Sequence, residues 1–354
     1  MFYEKRKTPG FADIICDTRN RKIKSVFFNQ VNTLVDWRPI SNIINKHYSR
    51  GISAVGKPAY DGLLLFKMNL LQTWYGLSDY EIEDRLNDSI SFSRFCGLTM
   101  DEVTPDHSTL SRFRTEMTQK NVYDKLLKAM NKQLEKHQII VKKGAIVDAS
   151  IIDSPLKPKE KSNYEIVEDR ADDLNNEQEI YKEKEVLKVE QPSVDTEAGW
   201  TKKAGKLRYG YKKHVVTDEQ GLILGLTTTP ANVNEISNLE QVLEDIELPK
   251  RTPFFGDKGY KSKKNDQLLK DKNLKNRLLK RATKNKALTT RELMFNKACG
   301  KTRFKVERTF GSIKRWFNST CARYKGMNKM HTQNLIEAMA HNLYRCPAII
   351  GSNS

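Results

Sequence analysis

The sequence is poor in cysteine, has no long hydrophobic run and has fewer acidic than basic residues. Five cysteines occur among 354 residues, and no two of them stand at C-x-x-C spacing. That odd count argues against a disulfide framework or a zinc ribbon and favours reduced thiols in a cytosol. No apolar run approaches the roughly 18 residues that a membrane-spanning helix needs. The charged first residues are followed by no apolar core, so we expect no signal peptide.

The balance of charge points to the class of partner. Lysine and arginine number 62 against 44 acidic residues, which gives a formal net charge of +18. So large a charge on a folded protein indicates a polyanionic partner, because each phosphate that it neutralises releases counterions. A membrane surface would be the alternative, but no basic amphipathic anchor stands out. With 38% hydrophobic residues, we expect a soluble globular protein of two or three domains.

Short helical patterns fill the chain up to residue 138. We predict an arm or a short docking element to about residue 30, one or two helices over 31–46 interrupted near Pro39, and a strong helix capped by Asp61. Ser78 and Glu81 form a capping box that opens the next helix.

A further helix starts within 104–114, and its outer face would show His107, Thr109 and Arg112. These residue types contact phosphates and bases. Short helices with tight turns and one basic, hydroxyl-rich face are typical of a helix-turn-helix module. A plain helical bundle with a solvated charged face explains the same spacing equally well.

Two carboxylates are placed on predicted strands. Asp148 lies in the middle of an apolar strand that ends near residue 153, and Asp257 stands where the strand over 252–257 ends. Gly259 follows and permits a sharp turn. A carboxylate on a core strand is costly to desolvate unless it is paired or binds metal. We therefore expect both acids to share a cation.

The segments between these strands differ in character. Residues 154–199 are rich in Glu, Lys and Asp and read as a solvated insertion, partly helical or mobile. A hairpin follows with its turn at 218–221, and then helices are predicted near 236–246 and 264–272. The run 270–291 is densely basic, and phosphate contact is favoured over a solvated face because few acids lie nearby.

A third carboxylate belongs to a predicted helix over 303–319. Arg303, Glu307, Gly311 and Lys314 share one face of it, at spacings of four, four and three. An ordinary Arg303–Glu307 salt bridge, worth a few tenths of a kcal/mol, is the alternative. A last helix is predicted over 332–344.

This order of elements builds a mixed sheet flanked by helices, in which two strand carboxylates and one helix carboxylate can converge. Three carboxylates around one point repel each other and need cations. Oxygen ligands favour magnesium or manganese. Two such ions would activate a water or a 3′-hydroxyl for in-line attack on phosphorus.

The chain resembles a DDE transposase of the insertion-sequence-five group, within the insertion-sequence-four-like superfamily, over about residues 55 to 345. The resemblance rests on five segments: 105–114, 146–150, 209–214, 229–235 and 256–260. The superfamily's Tyr, Arg, Glu, Lys signature fits Arg303, Glu307 and Lys314. Gly300 stands at the Tyr position, which is a departure from the pattern.

The resemblance implies a ribonuclease-H-like catalytic core after a helix-turn-helix-like domain. It also implies binding of terminal inverted repeats and strand transfer into target DNA, usually by a homodimer, in the cytoplasm or nucleoid of a prokaryote. By resemblance, Asp148, Asp257 and Glu307 ligate two Mg²⁺ or Mn²⁺ ions, and Arg303 and Lys314 grip phosphates. The expected double-stranded DNA contacts are His107, Thr109, Arg112, Arg114, Lys212 and Lys213.

The expected domains are an N-terminal arm with short helices over 1–54, a helical DNA-binding domain over 55–138, a catalytic domain over 139–345 with its charged insertion over 154–199, and a tail over 346–354. Two other readings stay open. A domesticated transposase that no longer cuts would act as a DNA-binding regulator, although all three acids are present. A ribonuclease-H-like nuclease would only hydrolyse its substrate.

Overall fold

The computed structural model describes residues 22–48, 59–99, 101–158, 164–167, 185–188, 193–203, 205–282 and 287–353. Within these ranges, helices precede the main sheet. They are α1 Lys22–Leu34, α2 Trp37–His47, α3 Gly62–Tyr75, α4 Asp79–Asp88, α5 Ile90–Cys96, α6 His107–Gln119 and α7 Val122–Lys136.

The predicted helix starts are confirmed at α3 and α4. Asp61 caps α3 by accepting the Leu63 N–H, and Ser78 with Glu81 forms a complete capping box on α4. Of the two alternatives for the first 30 residues, the described part favours a docking element over a free arm, because α1 begins at Lys22 and buries Phe28. The start of the arm, residues 1–21, lies outside the described residues.

The break near Pro39 was also misplaced. The chain turns at residues 35 and 36, and Asp36 caps α2 by accepting the Arg38 N–H. Pro39 lies in the first turn of α2, where its missing N–H leaves no hydrogen bond unmade. A proline near a helix start therefore opened this helix and did not interrupt it.

The main sheet carries a ribonuclease-H-like strand order. Its strands are β1 Ala145–Asp153, β4 Gly199–Lys203, β5 Lys206–Asp218, β6 Ile223–Pro230, β7 Pro253–Gly256 and β8 Lys275–Leu278. They run in the order β6-β5-β1-β7-β8, and β4 extends the sheet along β5. β5 is antiparallel to β1 and β6, whereas β7 is parallel to β1 and to β8. The predicted mixed sheet flanked by helices is confirmed.

Two segments differ from the sequence prediction. The insertion contains a small antiparallel pair, β2 Tyr164–Val167 with β3 Glu185–Lys188, where partly helical structure was expected; most of its other residues lie outside the described ranges. β8 was missed inside the basic run. Only Leu278 of this strand is buried, so it lacks the apolar alternation that marks a strand.

Of the helices after β6, only the last two are longer than predicted. A 3₁₀ turn at Glu235–Asn238 leads into α8 Leu239–Glu244, and α9 spans Lys263–Asp271. The last two helices are α10 Thr290–Trp316 and α11 Met327–Asn353. The predicted tail over 346–354 was wrong, because α11 continues through it and buries Cys346 and Ile349.

The helices and the sheet share their core. One apolar cluster joins α1–α7 with α10, α11 and Ile146 and Val215 of the sheet, and a second covers the opposite sheet face. The Trp74 indole donates to the Ala340 carbonyl at 2.9 Å, and so ties α3 to α11. Side-chain packing is therefore continuous across the predicted domain boundary at residue 138. No helix in the described part of the chain has the length and hydropathy of a bilayer span.

Two buried histidines make stability depend on pH. Burial lowers the pKa of His214 to about 3 and that of His341 to about 4. Below pH 6.5 the unfolded chain protonates both residues while the folded chain does not, so the free energy of unfolding falls by up to about 1.4 kcal/mol per pH unit for each. Burial also raises the pKa of Asp218 to about 6, which opposes this loss between about pH 6 and 4.

We therefore expect the urea midpoint to fall between pH 6.5 and 4.5, and His341→Gln to flatten that fall. The exposed His137 provides the control, since His137→Gln should keep the wild-type slope. An unchanged slope in the His341 variant would contradict the assignment of a neutral buried imidazole.

Candidate active site

Asp148 lies in the interior of the sheet and faces α10. Its side chain is 17% exposed. Burial raises the pKa of this carboxyl, whereas the charge of Arg303 and the N–H of Ala149, which donates at 2.8 Å, lower it. A carboxylate held this deeply needs a nearby cation, and Arg303 supplies one.

Asp257 is brought beside Asp148 by the parallel pairing of β1 and β7. Val147 is paired with Gly256, so the next residue on each strand carries one of the two acids. Asp257 also caps the 3₁₀ turn Lys258–Tyr260 by accepting the Lys258 N–H at 2.7 Å. The register of two short strands thus places the first two predicted acids together.

Glu307 reaches the same point from α10, which crosses the sheet over β1 and β7. Arg303 lies one turn before it, and its Nη2 is 3.2 Å from Asp148 Oδ2 and 3.9 Å from Glu307 Oε1. Its Nη1 is 3.5 Å from Asp257 Oδ1. One guanidinium therefore contacts all three acids, whose oxygens lie less than a nanometre apart. The predicted Arg303–Glu307 pair exists, but Arg303 is closer to Asp148.

The three carboxylates suit a hard divalent cation by their chemistry, since magnesium and manganese prefer oxygen ligands. In the described part of the chain, no three acidic, histidine or cysteine side chains already surround one point as a metal cluster. The Arg303 guanidinium lies at the centre of the three acids, and its buried Nε has no hydrogen-bond partner among the described residues. The donor set fits, but a metal ion would compete with Arg303 for the same carboxylates.

Glu235 was missed as a member of this site. Its carboxylate packs on the turn that follows Asp257, where a Cβ at Gly259 would meet Glu235 Oε2 and displace that side chain. The charges of Glu235 and Asp257 both raise the pKa of Asp148. Glu235 is the last residue of the segment 229–235, which supports the resemblance. Its place in that segment was the signal from which the sequence could have identified it as a site residue.

Comparison with known proteins agrees with this geometry. The family described as "Transposase DDE domain" matches residues 141–343, and the family described as "Transposase domain (DUF772)" matches residues 17–116. The first match covers more than half of the chain and all three acids.

The chain belongs to the DDE transposase family.

One curated relative is the transposase for insertion sequence element IS1106 of Neisseria meningitidis serogroup B. It is 34% identical over 236 residues, which cover 66% of this chain and 76% of the relative. Among solved structures, a piggyBac transposase synaptic complex with hairpin DNA has a TM-score of 0.43 at 11% identity. The match covers 95% of this chain and 77% of the piggyBac chain. The Mos1 strand transfer complex has a TM-score of 0.20 at 14% identity, with 84% and 80% covered.

Lys314 of this transposase lies on the face of α10 that carries Arg303 and Glu307. Burial lowers its pKa, and the positive charges of Arg208, Lys213 and Lys203 lower it further. A half-buried ammonium group among other cations is stabilised by an anion. This environment is compatible with the predicted phosphate contact.

Two other predicted DNA contacts are buried. Lys213 is 3% exposed and pairs with Glu337 at 2.7 Å, which also accepts from Ser319. Lys212 donates to the Val233 carbonyl at 2.9 Å and lies 3.7 Å from Glu235. Both ammonium groups are engaged with the protein, because β5 is a central strand whose two faces are covered. We no longer expect either to contact DNA.

The predicted contacts of α6 separate into two groups. Arg114 is 6% exposed, makes two hydrogen bonds to the Asp79 carboxylate and stacks on Tyr324, so we correct its assignment to a structural one. Arg112 is exposed, and His107 and Thr109 are partly exposed. His107 pairs with Glu83 at 2.7 Å and stacks on Tyr80, whose side chain is 66% exposed. These three residues remain on an accessible face.

The buried pair can be tested by stability. Lys213→Met leaves Glu337 buried without its cation, and breaking such a pair costs about 3–5 kcal/mol. We expect a large loss in urea unfolding for this variant and substantial recovery in the Lys213→Met, Glu337→Leu double variant. The exposed Lys206 gives the control, Lys206→Met, which should be near neutral. Wild-type stability in Lys213→Met would return this lysine to the candidate DNA contacts.

Proposed function

We propose that this protein binds the terminal inverted repeats of an insertion sequence and catalyses strand cleavage and strand transfer into target DNA with two divalent metal ions. The observation that carries the proposal is the convergence of Asp148, Asp257 and Glu307 on one guanidinium. The family match and the net charge of +18 support it.

Asp148, Asp257 and Glu307 would hold two Mg²⁺ or Mn²⁺ ions. When bound, such ions activate a water or 3′-hydroxyl and stabilise the leaving oxygen of an in-line displacement. The protein contributes the rigid placement of its acids. Asp148 is fixed by the sheet, Asp257 by its cap on the following turn, and Glu307 by a 27-residue helix.

Arg303 and Lys314 are the proposed phosphate contacts beside the scissile bond. Arg303 contacts three carboxylates in the structure. When metal ions bind those carboxylates, a DNA phosphate would supply Arg303 with a new anionic partner. Lys314 already lies among cations and has no acid within ion-pair distance in the described ranges. The pair would hold the phosphate chain while the acids hold the metals.

Recognition of the terminal repeats is assigned to the exposed face of α6, with His107, Thr109 and Arg112. Hydroxyl and guanidinium groups at a helix N-terminus contact phosphates and base edges. We further propose that the DNA complex is a homodimer and that the protein acts at the nucleoid in prokaryotic cytoplasm. The insertion-sequence-five group remains the proposed group within the family.

Substitution of each acid tests the chemistry. Asp148→Asn, Asp257→Asn and Glu307→Gln should each reduce Mg²⁺-dependent cleavage of a labelled terminal-repeat duplex by at least about a thousandfold, since metal ligands of the reacting centre are lost. Binding of the same duplex in EDTA should persist in all three variants. Cleavage and binding are measured on a gel and by fluorescence anisotropy.

Asp153 provides a control on the same strand, because its carboxylate is paired with Arg208 and is 45% exposed. Asp153→Asn should cut at nearly the wild-type rate. Undiminished cutting by Asp257→Asn would show that the site is misassigned. A wild-type protein that binds its repeats and never nicks them is a regulator, and one that cuts but never joins ends is a hydrolytic nuclease.

A further inference from the structure

The outward face of α10 carries a line of cations on the same helix as Arg303 and Glu307. Lys297, Lys301, Lys305, Arg308 and Arg315 are all exposed. Because they are spaced by four, four, three and seven residues, these side chains lie on one side of the α-helix. We call these five residues the α10 basic stripe. From its first to its last member it extends for about 27 Å, which is long enough to follow a phosphate backbone over several nucleotides.

The stripe lacks compensating acids. In the described ranges, none of its members lies within 4.0 Å of a carboxylate, whereas Lys261, Lys264 and Arg208 on other elements have such partners. Like charges four residues apart on a helix destabilise it. Lys297, Lys301 and Lys305 repeat that unfavourable spacing twice. A polyanion lying along this face would relieve the repulsion, since it would neutralise several of these charges together.

The stripe is joined to the acidic site by an open strip of helix surface. Gly300, Phe304 and Gly311 separate it from the face that carries Arg303, Glu307 and Lys314. A Cβ at either glycine would meet nothing within 4 Å, and Phe304 is 59% exposed. Without side chains at the two glycines, a DNA backbone can approach the helix closely between the cations and the acids.

We propose that the α10 basic stripe binds the phosphodiester backbone of DNA next to the bond that is cut. This inference rests on the proposed function and adds a binding surface to it. The stripe contacts phosphates only, so it contributes affinity and orientation while base recognition belongs to other surfaces. Two DNA segments carry the same chemistry, namely the transposon end and the target.

The test measures how DNA affinity depends on salt. Each lost phosphate contact reduces the slope of log K against log salt by about 0.9. The variant Lys297→Gln, Lys301→Gln, Lys305→Gln, Arg308→Gln should therefore lower the slope by about 2 to 4. Anisotropy in EDTA is recorded with two duplexes, one with the terminal repeat and one of unrelated sequence. Glutamine forms helix well, and a thermal melt checks that folding is retained.

The matched control removes four exposed lysines away from α10, at positions 132, 136, 143 and 250. Two of them lie on α7, and the others precede β1 and β7, at the end of the sheet opposite Asp257. This control should lower the slope by less than about 1. A folded stripe variant with the wild-type slope on both duplexes overturns the inference, as does an equal loss in the control.

The two duplexes separate the sources of the DNA. If the stripe variant lowers the salt slope only for the terminal-repeat duplex, the transposon end binds the stripe. If it lowers the salt slope equally for both duplexes, the stripe contacts a DNA backbone that target DNA shares. Failure of the proposed function has a different signature. In that case wild-type protein shows no metal-dependent cleavage, whatever the stripe does to the salt slope.

Discussion

The charge of Asp148 inside the sheet is the constraint on which the rest of the site depends. A strand that is apolar on both sides of this residue cannot bury a carboxylate without a cation or strong donors. Arg303 supplies that cation in the structure and is shared with Asp257 and Glu307. The same demand for positive charge makes these three acids suitable ligands for divalent ions.

The fold meets this demand with few elements. Parallel pairing of β1 with β7 sets two acids side by side, and one turn of α10 supplies both Arg303 and the third acid. Glu235 packs on the turn after Asp257 and adds a fourth negative charge near Asp148. Backbone hydrogen bonds and helix packing therefore fix the backbone positions from which the three acids project.

The excess of basic residues divides into two groups that the net charge does not distinguish. Lys213 and Arg114 lie in the interior, where each neutralises a buried or partly buried carboxylate and holds two elements together. Lys297, Lys301 and Lys305 project outward without acidic partners in the described ranges. The second group is available to phosphates, and it lies on the helix that also carries Glu307. Affinity and chemistry are thereby linked through one rigid element.

The sequence by itself predicted the convergence of three acids, most helix starts and the mixed sheet, because caps, apolar periodicity and an isolated carboxylate are local signals. It did not reveal β8, the full length of α10 and α11, or the burial of Lys212, Lys213 and Arg114. Those depend on which faces of the strands and helices are covered by segments distant along the chain. Tertiary structure alone decided that Arg303 stands between the acids, since that position requires α10 to cross the sheet over β1 and β7.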